Sequence, residues 1–395
     1  MFHSRPIAFN HMGQSPGHSI ARLSGTEGLA RAFLVGIIPL VALDALGSKQ
    51  AVSFVYLLGA LLTMTITLNI GLLERLLNRR FVVTLGAAFM ALAATFLYFG
   101  SGTVFALGIG LRSASASIFS VCISLYIMDY IGKRELTRSE SRRMQYQGAA
   151  WLIGPSVGLW IYENGNPAFA YLIAGVSSAC MLGYFWWLRL GKDQVLRAAR
   201  SKAPNPFRAV MRYLNQPRLR IAYGITLSRS SFWVAMFVYG PIYVVEANLP
   251  VWVAGALLSG VSALLFFSPL VRRLSDRFGT RQIIIGGLIL TGMSMVALGV
   301  MGEARPAGIV FWVTGAIGGA ALDVLGNIPF MRSVKPRERT EMTTVFSTWR
   351  EGSELLTPAL VAGVLFFAPF WVFYFVLAIS HFAAAVSASY LPRRL

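Results

Sequence analysis

The chain has 395 residues, 56% of them hydrophobic and only 13% charged. Soluble domains run at about 25% charged, so the composition excludes an ordinary soluble protein, and the mean hydropathy of +0.62 agrees. The net charge of +19 does not indicate nucleic acid, because Lys and Arg sit in short clusters between apolar runs rather than on one polar face.

The first 28 residues are polar, carry Arg5 and Arg22, and lack the pattern of a cleavable signal peptide. They read as a cytoplasmic tail. His3, His11 and His18 fit no common ligand spacing, so no metal site is expected there. A spanning helix needs about twenty apolar residues. Runs of that kind predict six spans at 29–47, 51–74, 81–99, 103–130, 143–162 and 166–190. A basic, proline-broken stretch at 191–217 follows, with Lys192, Arg197, Arg200, Lys202, Arg208 and Arg212 around Pro204 and Pro206. Six further spans are predicted at 219–246, 249–271, 282–301, 306–331, 342–367 and 368–391. Cys122 and Cys180 both fall inside apolar runs and give no disulfide framework. The expected architecture is an all-α membrane protein of twelve transmembrane helices in two pseudo-symmetric six-helix bundles. The divisions are a tail at 1–28, a bundle at 29–190, a linker at 191–217 and a second bundle at 218–395.

Orientation follows from the placement of Lys and Arg, which favour cytoplasmic connections. Arg75, Arg79 and Arg80 follow the second span. Lys133, Arg134, Arg138, Arg142 and Arg143 lie between the fourth and fifth. Arg272, Arg273, Arg277 and Arg281 follow the eighth, and Arg332, Lys335, Arg337 and Arg339 the tenth. The opposite connections are nearly free of them, with Lys49 and Arg305 dissenting. Both termini and the linker are therefore expected in the cytoplasm of a bacterial cell, with the spans in its inner membrane.

The two halves resemble each other. Pro39, four residues and Asp44-Ala45 recur 202 positions later as Pro241, four residues and Glu246-Ala247. Arg134-Glu135, Thr137, Leu152 and Pro155 recur 203 positions later as Arg337-Glu338, Thr340, Leu355 and Pro358. A nearly constant offset argues for duplication of a six-helix unit.

After the eighth span stands Arg272-Arg273-Leu274-Ser275-Asp276-Arg277-Phe278-Gly279-Thr280-Arg281. This resembles the loop signature of the major facilitator superfamily, with Arg272 in place of the leading Gly. The equivalent loop after the second span is degenerate: Gly71 leads, Arg75 replaces the Asp, and Arg79-Arg80 close it. The resemblance implies a conformational latch built on Asp276, Arg277, Gly279 and Arg281, with Arg79 and Arg80 in the weaker copy. The alternative is charge that merely sets topology. Gly148 and Gly154-Pro155-Ser156-Val157-Gly158 in the fifth span are similar to the Gly-Pro motif of the family's drug–proton antiporters, with Leu159 replacing the last Gly. Small residues there also serve simple close packing. Arg112 resembles the family's fourth-helix arginine, with Ala114-Ser115-Ala116 in place of the usual Gln-Gly.

Ionisable residues inside a span are costly and are candidate functional sites. They are Arg112, Arg229, Asp323, Arg350, Glu351 and Glu354. In the family fold the first, fourth, seventh and tenth helices line the cavity, which puts Arg112, Arg229 and Asp323 on the substrate path. Arg presents a fork suited to carboxylate or phosphate, so Arg112 and Arg229 are expected to bind a small solute with an anionic group. Arg350 and Glu354, four apart, share one helix face and can pair. That leaves Glu351, with Asp323 in reserve, to carry a proton, since desolvation favours the protonated carboxyl. His381 in the last span reads as a packing residue before it reads as a relay.

The expected function is secondary transport of a small organic solute by alternating access, coupled to protons. A facilitator of the same fold, or a transporter-like scaffold or sensor, are the alternatives. No enzyme chemistry, nucleotide-binding loop, cofactor or nucleic-acid partner is expected, and the protein is expected to act as a monomer in the lipid bilayer.

Overall fold

The computed structural model describes residues 16–130, 136–188, 206–334, 338, 342 and 345–392. The described residues contain no strand. Helix α1 spans Pro16–Val35 and continues after a break at Gly36 as α2, Ile37–Leu46. Then come α3 (Lys49–Leu77), α4 (Arg79–Phe99), α5 (Gly102–Tyr130), α6 (Leu136–Asn164) and α7 (Pro167–Trp187). The second series is α8 (Pro206–Leu214), α9 (Pro217–Glu246), α10 (Val251–Ala263), a short 3₁₀ turn, α11 (Ser268–Phe278), α12 (Thr280–Met301), α13 (Gly308–Leu325), α14 (Ile328–Ser333), α15 (Trp349–Phe367) and α16 (Trp371–Ser389). His3, His11, Lys133, Arg134, Lys335, Arg337, Arg339 and linker residues 191–205 lie outside the described residues, as do the side chains of Gly71, Arg75, Arg138, Arg142 and Arg208.

Among the described residues, ten helical stretches are long and apolar enough to cross a membrane. They correspond to ten of the twelve predicted spans. The other two predicted spans, 143–162 and 342–367, are also helical, as α6 and α15. Of these, α15 holds Arg350, Glu351 and Glu354 within two turns.

The first helix begins at Pro16, well inside the stretch read as a tail, and its spanning part runs from His18 to Leu46. A search for an unbroken apolar run stops at Glu27 and Arg31. In the fold these two residues answer each other four apart on one face, so the helix carries on through them.

The chain forms two compact units. One comprises the chain to Ser48 with Leu58–Arg200; the other comprises Lys49–Leu57 with Ser201–Leu395. In the first, α1 packs on α6 and α7, and α4 packs on α5 and α7. In the second, α9 packs on α15 and α16, and α12 packs on α13 and α16. Under the sequence repeat these are the same four pairings, so the duplication extends from residues to packing.

The core of the first unit is a cluster of Val82, Ile118, Phe119, Tyr126, Met181 and Phe185. That of the second includes Ile225, Ile284, Leu288 and Leu322. Contacts between helices are closest where side chains are smallest. A Cβ on Gly154 would collide with Ala32 of α1, and one on Gly158 would collide with the Phe33 carbonyl. Between α12 and α13, Thr291 Oγ1 donates to the Gly315 carbonyl at 3.0 Å. Such seams suit a lipid environment, where dispersion and interhelical hydrogen bonds replace hydrophobic driving force.

Candidate functional site

In the second unit two of the charges predicted inside spans, Arg229 and Asp323, meet. Arg229 is on α9 and is 4% exposed. Its Nε stands 3.3 Å from Asp323 Oδ1 on α13. Its Nη1 donates to the Leu322 carbonyl at 3.2 Å, and its guanidinium lies 4.8 Å from the centre of the Trp349 ring of α15. The Nε contact is an ion pair without directed hydrogen-bond geometry. The Trp233 indole N–H approaches Asp323 without completing a hydrogen bond to it. The carboxylate of Asp323, 27% exposed, is therefore held by charge more than by a full set of donors.

The α9–α15 seam beside this pair is polar. Ser230 Oγ meets Ser353 Oγ at 2.6 Å, and Ser353 Oγ donates to the Arg350 carbonyl at 2.8 Å. Tyr223 and Thr348 share a hydroxyl contact at 3.2 Å. Arg350 itself is exposed and lies 5.8 Å from the Trp349 ring centre. Glu351 and Glu354 are partly buried. Glu351 sits in the first turn of α15.

The first unit holds a counterpart that the sequence reading missed. Glu27 of α1 is 2% exposed. Arg31 pairs with it at 2.6 Å, and Gln147 of α6 donates to its Oε2 at 3.4 Å. Arg143 donates to Gln147 at 3.3 Å. Arg112 of α5 donates to the Arg31 carbonyl at 2.9 Å, and the Arg31 guanidinium lies 5.9 Å from the Trp151 ring centre. Arg112 is therefore anchored on α1. Glu27 lies 202 positions before Arg229, so the first helix of each unit contributes a charge at the same place. That offset was the signal that could have found it.

The loop signature has a defined local role in each copy. Gly279, at φ 93°, makes the turn between α11 and α12, a conformation glycine adopts without steric penalty. Asp276 is exposed, 3.9 Å from an equally exposed Arg272, and Arg277 lies 5.2 Å from the Phe278 ring centre. Arg281 donates to the Leu391 carbonyl at 2.9 Å and the Ser389 carbonyl at 3.3 Å, tying the loop to the end of α16. In the first unit Arg79 lies over Tyr126, and Arg80 over Trp186 at the end of α7. In both copies a basic residue reaches from this loop to the unit's last helix. Gly148 is buried on α6, and Pro155 lies within the same helix between Gly154 and Gly158.

His381 is fully buried. Its Nδ1 lies 2.8 Å from the Leu377 carbonyl. A carbonyl only accepts, so Nδ1 carries the proton, and the ring packs edge-on against Phe232. Among the described residues no cluster of metal-ligating side chains occurs.

The arrangement is that of charged residues paired across and along helices. The family model described as Major Facilitator Superfamily matches residues 23–268 and 253–395. No curated protein sequence matches the chain. Among solved structures, a POT family transporter in complex with 5-aminolevulinic acid is similar with a TM-score of 0.74 at 12% identity, covering 95% of this chain and 96% of that one. The peptide transporter POT in complex with sulfate gives 0.75 at 11%, covering 96% and 94%. The nucleoside transporter NupG gives 0.74 at 14%, covering 94% and 98%. At these identities the likeness is one of fold. The family match spans nearly the whole sequence, and the chain is a multi-pass membrane protein that belongs to the Major Facilitator Superfamily of transporters.

Proposed function

We propose that the protein is a proton-coupled secondary transporter of a small organic solute bearing an anionic group, working by alternating access in a bacterial inner membrane, with both termini and the linker on the cytoplasmic side. The observation that carries this reading is the Arg229–Asp323 pair: a buried arginine held at 3.3 Å by a single, imperfectly bonded carboxylate. A proton on Asp323 removes the counter-charge. Arg229 is then left with the Leu322 carbonyl and the Trp349 ring, and its fork becomes available to an incoming carboxylate or phosphate. The proton and the anion thus favour each other's binding, which is the thermodynamic content of coupling. Glu351 and Glu354 stand next along α15 as further carriers. Arg112 supports the same anion preference from the first unit.

The solutes named for the fold neighbours, 5-aminolevulinic acid among them, are small organic molecules, the size class proposed here. A facilitator would have the same fold with Arg229–Asp323 as a permanent structural pair. An untargeted metabolite comparison between cells expressing and lacking the protein identifies the solute. Binding of that solute to Arg112→Lys and Arg229→Lys, which keep charge but lose the bidentate fork, then tests the anchors. Weakened binding in either variant supports the reading, and unchanged binding in both removes these arginines from the site.

A further inference from the structure

The short helix α8 (Pro206–Leu214) lies outside the spanning stretches and leads into α9 through Asn215 and Gln216. Three arcs run along it. Ala209 and Tyr213, four apart, are buried at 4% and 1% exposure. Tyr213 donates to the Leu219 carbonyl at 2.8 Å and packs in a cluster with Ala222, Phe330, Met342 and Phe346. This arc fastens the helix to the second unit. A second arc is apolar and uncovered: Val210 is 41% exposed, Met211 64% and Leu214 49%. At 100° per residue these three spread over a sector next to the buried one. Exposed Arg212 borders them on the far side, and exposed Arg218 and Arg220 follow at the start of α9.

A soluble surface gains nothing from three large apolar side chains on nine residues. A helix with one face on protein, one apolar face and a basic edge is the form that lies in the membrane interface. There the apolar residues enter the acyl boundary and the basic ones meet headgroup phosphates. Only Asn215 and Gln216 separate α8 from α9, a helix long and apolar enough to cross a membrane, so α8 lies next to one end of such a stretch.

We propose that α8 is an interfacial helix that seats Val210, Met211 and Leu214 in the leaflet and binds anionic phospholipid headgroups through Arg212, Arg218 and Arg220. Zwitterionic lipid offers the same acyl boundary without the net negative surface, so the arginines make the attachment specific for anionic lipid. Each basic residue near such a surface contributes about fivefold to the partition. This inference rests on the membrane family alone and is independent of the transported solute.

The test uses the full chain in nanodiscs of phosphatidylcholine alone or with phosphatidylglycerol. Cys180→Ser removes the exposed native thiol, Cys122 being buried. Nitroxide labels go on Met211→Cys and, separately, Leu214→Cys. Collision rates with oxygen and with a water-soluble nickel chelate report depth. The expected result is immersion at the headgroup–acyl boundary that deepens with phosphatidylglycerol, and loss of that dependence in the Arg212→Gln, Arg218→Gln, Arg220→Gln variant. Labels that stay in water overturn the proposal. So do labels immersed equally in both lipids, and labels shielded from both probes in detergent, which would mean that protein covers the face.

Discussion

Removing the carboxylate of Asp323 isolates Arg229, the most buried charge among the described residues of the second unit. At 3.3 Å and an effective dielectric of about 20, the Arg229–Asp323 attraction is about 5 kcal/mol. Asp323→Ala loses that attraction while Arg229 stays buried at 4% exposure. The Leu322 carbonyl and the Trp349 ring remain, the ring contributing roughly 0.5–2 kcal/mol. The net cost of leaving one partner of such a pair is about 3–5 kcal/mol, on the order of 10 °C in melting temperature. Asp323→Asn keeps an acceptor beside Nε and costs about half as much. The double variant Arg229→Met with Asp323→Ala removes both charges and recovers most of the loss. Thermal unfolding of the purified protein, followed through the fluorescence of Trp233, Trp312 and Trp349, measures all three against wild type. A loss under about 1 kcal/mol for Asp323→Ala, or a double variant no more stable than the single one, refutes the claim that the two charges depend on each other.

Other outcomes follow from single contacts. Gly154→Ala drives a methyl into Ala32 and destabilises by about 1–3 kcal/mol; Gly175→Ala, with nothing within 4 Å, is the reference, and equal melting temperatures contradict the α1–α6 seam. Arg281→Gln loses its charge-assisted bonds to the Ser389 and Leu391 carbonyls and speeds proteolysis at the end of α16, whereas wild-type cleavage rates count against the tie. Asp276→Asn, exposed and without a buried partner, leaves the stability within about 0.5 kcal/mol of wild type while slowing transport; unchanged transport rejects the latch. A cysteine placed in the 191–217 linker resists labelling by an impermeant maleimide added to intact cells, and ready labelling reverses the orientation.

Much of this was legible in the sequence because long apolar runs leave a chain in lipid few choices besides helix. The loop after the eighth span could be read from Asp276, Gly279 and Arg281 in order. The pairing of Arg229 with Asp323 could not, since no sequence spacing links residues 94 positions apart. Glu27 was hidden for a different reason. Hydropathy treats Glu27 and Arg31 as polar punctuation, although as a pair they are compatible with a buried helix. For α15 the sequence supplied the charged residues but not which of them the fold leaves exposed. The exposure of Arg350 and the first-turn position of Glu351 depend on where the helix starts, and Thr348 at that start makes no capping hydrogen bond, its hydroxyl donating back to the Val345 carbonyl instead.

The central claim is that a proton on Asp323 and an anion on Arg229 bind in support of each other. Once the solute is identified, paired assays in proteoliposomes test this directly: accumulation driven by a pH gradient, and counterflow exchange without one. Asp323→Asn mimics the protonated carboxyl, so the account predicts loss of gradient-driven accumulation with exchange retained, and Glu351→Gln measured alongside shows whether α15 shares the task. Full gradient-driven accumulation by Asp323→Asn would contradict the account, because the proton would then travel without the carboxylate that holds Arg229.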